Sequence, residues 1–310
     1  MTTMMGKELG LALAALRGSR EARRRQRAHR REAADLAGRL AEIERRWGPG
    51  NPDPEERPVF ILAAGWRCGS TLLQRWLMTD PALLIWGEAF SRANLAPGML
   101  DQLRGLSREW PREEYRIADD PGDLANAWVA NLYPPVPRLL DAHRAFFRHL
   151  FGEPARAHGA TRWGLKEVRW GLDEARYLRF LFPGARIVFL YREPGAAYRS
   201  FRNCIGAAYA RWPDRLVATP HAFFRHWRRR VEEFEAGAAE LGAFLVRYED
   251  LVRDTELQGR LARFVEAEVT SLADMAPIPG RGGRSPGPAR AKYLPLAERW
   301  LVRWLSGSVR

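Results

Sequence analysis

Apolar residues along this chain fall into short solid runs separated by longer amphipathic stretches. "VFILAAG" from Val59, "RIVFLYRE" from Arg186 and "AFLVRYEDL" from Ala243 each hold four or more consecutive apolar residues and then stop at glycine or charge. All three read as strands, and "RIVFLYRE" has the pattern of one covered on both faces. "ALLIWGE" from Ala82 and "TRWGLKEV" from Thr161 read as two further strands. Between them, Ser70–Thr79, "DEARYLRFLF", "GAAYRSFRNCIGAAYA" and "HAFFRHWRRRVEEFEAGAAEL" read as helices, with a last amphipathic helix in "LPLAERWLVRWL". Strands alternating with helices predict an α/β fold: a central, mostly parallel sheet with helices on both faces. The region from about residue 90 to 158 reads as mostly helical, broken at "YPPVP".

The amino end has a different pattern. Residues 1–47 combine the basic run "RGSREARRRQRAHRR" with a stripe of Ala33, Leu36, Leu40, Ile43 and Trp47 at alternating three- and four-residue steps. This predicts a basic amphipathic helical extension. Such a helix packs on the body, pairs with a second copy in a homodimer, or docks on something acidic. "GPGNPDPEERP" stops it and makes 48–57 a linker, leaving 58–310 as the main domain.

Composition adds direction. The 310 residues are 46% hydrophobic and 28% charged, enough for one large domain with a real core. A formal charge of +13 points to an acidic partner: nucleotide, nucleic acid, anionic membrane or polyanion. The bland reading is arginine spread over a solvated surface. The basic run lacks interleaved aromatics, which weighs against nucleic acid. Cys68 and Cys204 form no disulfide framework. "LGLALAAL" is too short to span a membrane and carries no convincing cleavage site, so a cytoplasmic protein without a transmembrane segment is expected.

In a parallel sheet, ligands gather at the carboxyl ends of the strands. Those ends read "GWRCGST", "WGE", "LKE", "YREP" and "RYED". In the first, the backbone N–H groups from Arg67 to Thr71, the hydroxyls of Ser70 and Thr71, and the Arg67 guanidinium can surround a doubly charged group. An ordinary phosphate-binding loop has a lysine before its hydroxyl residue. Gly69 stands there instead, and the strand "RIVFLYRE" ends in arginine rather than aspartate, which disfavours a metal-dependent nucleoside triphosphate site. In the fourth, Arg192 ends a strand and Ser200 follows eight residues on, on roughly the same helical face. Together they suit a second phosphate, distant from the first.

The order and spacing of these elements resemble the sulfotransferases that use 3′-phosphoadenosine 5′-phosphosulfate (PAPS), over roughly Pro58 to Leu261. "WRCGSTLL" is similar to their 5′-phosphosulfate loop, "YREPGAAYRS" to their 3′-phosphate segment, and "LVRYEDLV" to the segment whose tyrosine lies near the adenine. The resemblance implies a P-loop NTPase-like three-layer α/β/α fold, PAPS as co-substrate without a metal, and a hydroxyl-bearing acceptor. It assigns donor binding to Arg67, Cys68, Gly69, Ser70, Thr71, Leu72, Arg192, Ser200 and Tyr248. Ser285 and Lys292, in "RGGRSPGPARAK", are looser matches. Soluble phenol and steroid sulfotransferases use a mid-chain histidine base, but His143, His149 and His158 lie in the helical region and its exit loop. "WGEAF" instead looks like the carboxylate-base segment of the tyrosylprotein sulfotransferase group. That implies Glu88 as general base, with Glu167 second, and Lys166 and Arg67 beside the leaving phosphate. Cys68 departs from the serine usual there, and Leu72 from an aromatic residue. The readings to be weighed against this are a metal-dependent P-loop kinase or NTPase, and a non-catalytic basic nucleotide- or polyanion-binding protein. The acceptor, whether carbohydrate, tyrosine or small metabolite, is not legible, although 90–158 is expected to shape its pocket.

Overall fold

The structure is a computed structural model that describes residues 35–88, 90, 93–107, 110–118, 122–204, 211–212, 215–216, 219–275 and 296–307. The chain divides into two compact units. One comprises Met1–Gly48 with Met99–Val136, the other Pro49–Gly98 with Pro137–Arg310. No helix among the described residues is long and apolar enough to cross a membrane.

In the first unit the predicted stripe folds as helix α1, Leu36–Trp47. Asp35 caps it by accepting from the Gly38 N–H, and Gly48 closes it at φ 85°. Leu36, Leu40 and Ile43 are buried and Trp47 half-buried, so this part of the stripe is covered within a single chain, while Ala33 and the basic run lie outside the described residues. Arg46 donates to the carbonyls of Ser107 and Pro111, and Trp47 Nε1 to Glu113. The expectation of mostly helix through 90–158 needs correcting. After α3 (Leu95–Arg104), the described residues up to Val136 hold only the 3₁₀ turns Glu113–Tyr115 and Leu124–Asn126. Prolines at 111, 121, 134 and 135 fix φ and withhold donors, which breaks the helical ladder.

The second unit holds the sheet. Strands β1 (Val59–Ala63), β2 (Leu83–Trp86), β3 (Arg162–Glu167), β4 (Arg186–Tyr191) and β7 (Phe244–Arg247) lie in the order β2-β3-β1-β4-β7, every pair parallel. The two-residue strands β5 (Arg211–Trp212) and β6 (Arg215–Leu216) form a separate antiparallel pair. All five residues of β1 are buried, as are the middle four of β4. The solid runs of β1 and β4 are therefore strands covered on both faces, whereas β7, at the edge of the sheet, is only partly covered, with Val246 buried and Arg247 exposed. Helices α2 (Ser70–Leu77), α4 (Val136–Phe147), α5 (Glu153–Ala157), α6 (Leu172–Leu181), α7 (Pro194–Cys204), α8 (Pro220–Ala238), α9 (Tyr248–Leu251), α10 (Thr255–Val265) and α11 (Leu296–Gly307) flank the strands in sequence. Aromatic rings fill the core: Phe60 meets Trp163 edge-on at 5.8 Å, and Phe189 stacks on Phe234 at 4.2 Å.

The segment read as a linker has no regular structure but is tied to this unit. Arg144 of α4 is completely buried. It donates to the carbonyls of Pro49 and Leu181 and pairs with Asp141 at 2.9 Å. Asp141 in turn accepts from the Asn51 N–H, and Glu56 holds Arg148. Burial pushes the Arg144 guanidinium below its ordinary pKa, because its charge has left water. Arg144→Ala would leave the buried Leu181 carbonyl and the part-buried Pro49 carbonyl without this donor and remove one partner of Asp141, and is expected to lower unfolding free energy by roughly 3 kcal/mol. Urea denaturation of the two proteins measures this, and a change under about 0.5 kcal/mol would rule out the clip.

Candidate functional site

Parallel register brings the predicted strand-end residues to one edge. Leu62 pairs with Glu167, Ala63 with Leu190, and Tyr191 with Arg247. The residues that follow β1, β4 and β7 therefore emerge together, beside Lys166 and Glu167 at the end of β3. Glu88 lies two residues beyond Trp86, whose partner is Leu165.

The turn after β1 is built on left-handed backbone at alternate residues: Gly65 at φ 103°, Arg67 at 66° and Gly69 at 91°. Alternation of this kind curls successive N–H groups toward one centre. Arg67 is no glycine, and an arginine held there carries backbone strain of the sort that collects at ligand sites. Gly69 begins α2 without a side-chain cap. No N–H from Arg67 to Thr71 donates to an acceptor among the described residues. A helix N-terminus with open donors and a positive dipole end suits an anion. Ser70 is buried, Thr71 exposed and Leu72 half-buried. The Cys68 side chain turns inward, donating to the Ala64 carbonyl, and burial pushes its thiol up to about 12, so this residue presents only its N–H to the turn.

The residues expected to form a second anion grip, distant from the first, instead touch the turn after β1. Arg67 Nε donates to Ser200 Oγ at 3.0 Å, and Arg192 Nη1 donates to the Arg67 carbonyl at 3.1 Å. The cause is topological: β1 and β4 are neighbours, so their following turns meet. The Arg192 guanidinium lies 4.6 Å over the Tyr248 ring, and its buried Nε, 3.7 Å from Glu249, has no hydrogen-bond acceptor among the described residues. The Tyr248 ring covers Gly69 so closely that a Cβ there would come within 2.1 Å of it. Gly69→Ala is thus expected to displace Tyr248 as well as strain the turn, at a cost of roughly 2 kcal/mol or more. Thermal denaturation and nucleotide titration of the variant read both effects; an unchanged protein would refute the close approach.

Several supporting residues were not singled out from sequence. Glu249 accepts from the Glu193 N–H and from Arg247 Nε, joining the ends of β4 and β7. Glu193 itself caps α7 through the N–H groups of Gly195 and Ala196. Trp227 donates to the Arg192 carbonyl, and Trp66 stacks on Phe201 at 5.8 Å. Glu249 lies inside "RYED", where the sequence pattern marks only the tyrosine. Trp227 lies thirty-five residues from its partner, and no local pattern marks it.

At the other end of the edge, Lys166 Nζ donates to Glu88 Oε1 at 2.6 Å. Lys166 is buried, Glu88 about one-third exposed, and Glu88 Oε2 has no partner among the described residues. Glu167 is buried and held by Arg169 at 2.9 Å and by the Val168 N–H. Burial, the largest influence, pushes its carboxyl above the usual range. His143 is buried against Tyr177 and held down to about 4 by burial, His149 pairs with Glu153, and His158 lies edge-on to Trp86. Among the described residues no cluster of three or more His, Cys, Asp or Glu is placed to hold a metal. Ser285 and Lys292 lie outside the described residues.

The profile of the Sulfotransferase family matches residues 58–270. No curated protein matches the chain. Among solved structures, it is similar to the sulfotransferase domain from the curacin biosynthetic pathway at 18% identity, covering 71% of this chain and 77% of that one, with a TM-score of 0.43. The sulfotransferase domain of the Synechococcus PCC 7002 olefin synthase gives 22%, 84%, 97% and 0.41. Retinol dehydratase in a complex with retinol and PAP gives 15%, 75%, 66% and 0.30.

Proposed function

This chain belongs to the sulfotransferase family, and from that premise we propose that it moves a sulfuryl group from PAPS to the hydroxyl of a carbohydrate, tyrosine or small-metabolite acceptor. The observation that carries the reading is the Arg67–Ser200–Arg192 cluster beside a helix start whose N–H groups have no acceptor among the described residues. That donor set suits a nucleotide phosphorylated on its ribose as well as at its 5′ end. The buried Arg192 Nε, ion-paired with Glu249 at 3.7 Å but without a hydrogen-bond partner among the described residues, is the kind of group a phosphate oxygen satisfies.

When bound, PAPS supplies an activated sulfuryl group and leaves as 3′-phosphoadenosine 5′-phosphate (PAP). The chain's own residues do the rest. Arg192 and Ser200 hold the 3′-phosphate, with Tyr248 beside the base. The N–H groups from Arg67 to Thr71 and the Ser70 and Thr71 hydroxyls hold the 5′ end. Arg67 and Lys166 accept the negative charge that develops on the departing oxygen; preorganised donors of this kind are worth about 3 kcal/mol each. Glu88 takes the acceptor's proton on Oε2, while Lys166 fixes the carboxylate through Oε1. Glu167 is the weaker candidate because Arg169 occupies it. Incubation with sulfur-labelled PAPS and a panel of sugars, phenols and tyrosine peptides tests the proposal. Labelled product without added metal is expected; Mg²⁺-dependent ATP turnover in its place would overturn it.

A further inference from the structure

The last helix, α11, presents two different sides. Val302 and Leu305 are buried where it packs on α7 and α8. The opposite side carries Trp300, 77% exposed, Trp304, 61%, and Leu301, 38%. At 100° per residue the two tryptophans stand about 40° apart, with Leu301 flanking them on one side and Arg303 on the other. Tryptophan is largely buried on average, so two on one solvent face mark a surface that something covers.

Charge selects what covers it. Residues 276–310 hold seven arginines and lysines against one carboxylate, Glu298, and the whole chain is +13. Arg225, Arg228 and Arg229 are exposed on α8, against which α11 packs. Of the three glutamates of α8, Glu233 pairs with Arg230, while Glu232 and Glu235 line a cavity of about 950 Å³ near the carboxyl end of α11 together with Arg228, Arg247, Arg303, Ser306 and Gly307. A second copy would bring the same positive field against this face. An anionic bilayer offers the opposite charge, together with a headgroup boundary in which indole rings settle. We propose that α11 is a membrane-surface anchor. Trp300 and Trp304 insert at headgroup depth, and Arg303 with the neighbouring arginines lies on lipid phosphates. The helix lies on the surface and does not span it. This does not depend on the reading of the nucleotide site.

Co-sedimentation of the full chain with phosphatidylcholine vesicles, and with vesicles containing phosphatidylglycerol, tests it. The anionic vesicles are expected to bind at least about tenfold more tightly, with that preference weakening as salt rises. Trp300→Ala with Trp304→Ala should cut binding by about tenfold or more through lost apolar area. Arg303→Glu should weaken binding to the anionic vesicles only, which keeps the test open if the double variant folds poorly by circular dichroism. The proposal is overturned by absence of binding to either vesicle, by equal binding of the folded double variant, or by a lipid-free dimer that the double variant dissociates.

Discussion

Glu88→Gln is expected to lower kcat about 10²–10⁴-fold, the usual contribution of a positioned general base, while PAP affinity stays within about twofold of the parent. Glutamine keeps the shape and can still accept from Lys166, so the 2.6 Å contact is weakened rather than emptied. What goes is the carboxylate's capacity to take a proton on Oε2. Single-turnover assays with any acceptor that the panel identifies would measure the chemical step alone. Activity that survives in Glu88→Gln but falls in Glu167→Gln would move the base one strand over. That outcome would also have to explain how Glu167 works while Arg169 and the Val168 N–H hold it.

Arg192→Ala is expected to weaken PAP binding by roughly tenfold to a hundredfold, the range for a lost charged hydrogen bond, and to leave 5′-AMP binding nearly unchanged. The selectivity is the point. Arg192 also supports the Arg67 carbonyl, so a general collapse of the turn would weaken both nucleotides together. Ser200→Ala is the milder companion, with a loss of a few-fold expected because a neutral donor is removed. Calorimetric titration of parent and variants with both nucleotides separates the two outcomes.

The sheet was legible because its central strands are buried on both faces and so read as solid apolar runs. "RIVFLY" spells β4 residue for residue. The turn was legible because glycines at 65 and 69 bracket it, and left-handed backbone there needs glycine. The contact between Arg67 and Ser200 was not legible. It spans 133 residues and depends on β4, rather than β2 or β3, lying on the far side of β1. Sequence spacing fixed Arg192 and Ser200 on one face of a turn and helix but said nothing of which strand would stand beside it. The Glu88–Lys166 pair escaped for the same reason, since strand order alone brings β2 next to β3. The residues between α3 and α4 misled because their apolar positions permit helix while their prolines forbid it, and the prolines win.

The central claim is that the turn after β1 and the tip of β4 together recognise a nucleotide with phosphate on its ribose. Side-by-side calorimetric titration of the unmodified protein with PAP and with ADP, in metal-free buffer, tests it most directly. Binding of PAP at least about a hundredfold tighter is the predicted result, the size of one or two charge-assisted contacts. Equal affinities, or ADP binding that needs Mg²⁺ and exceeds that of PAP, would contradict it.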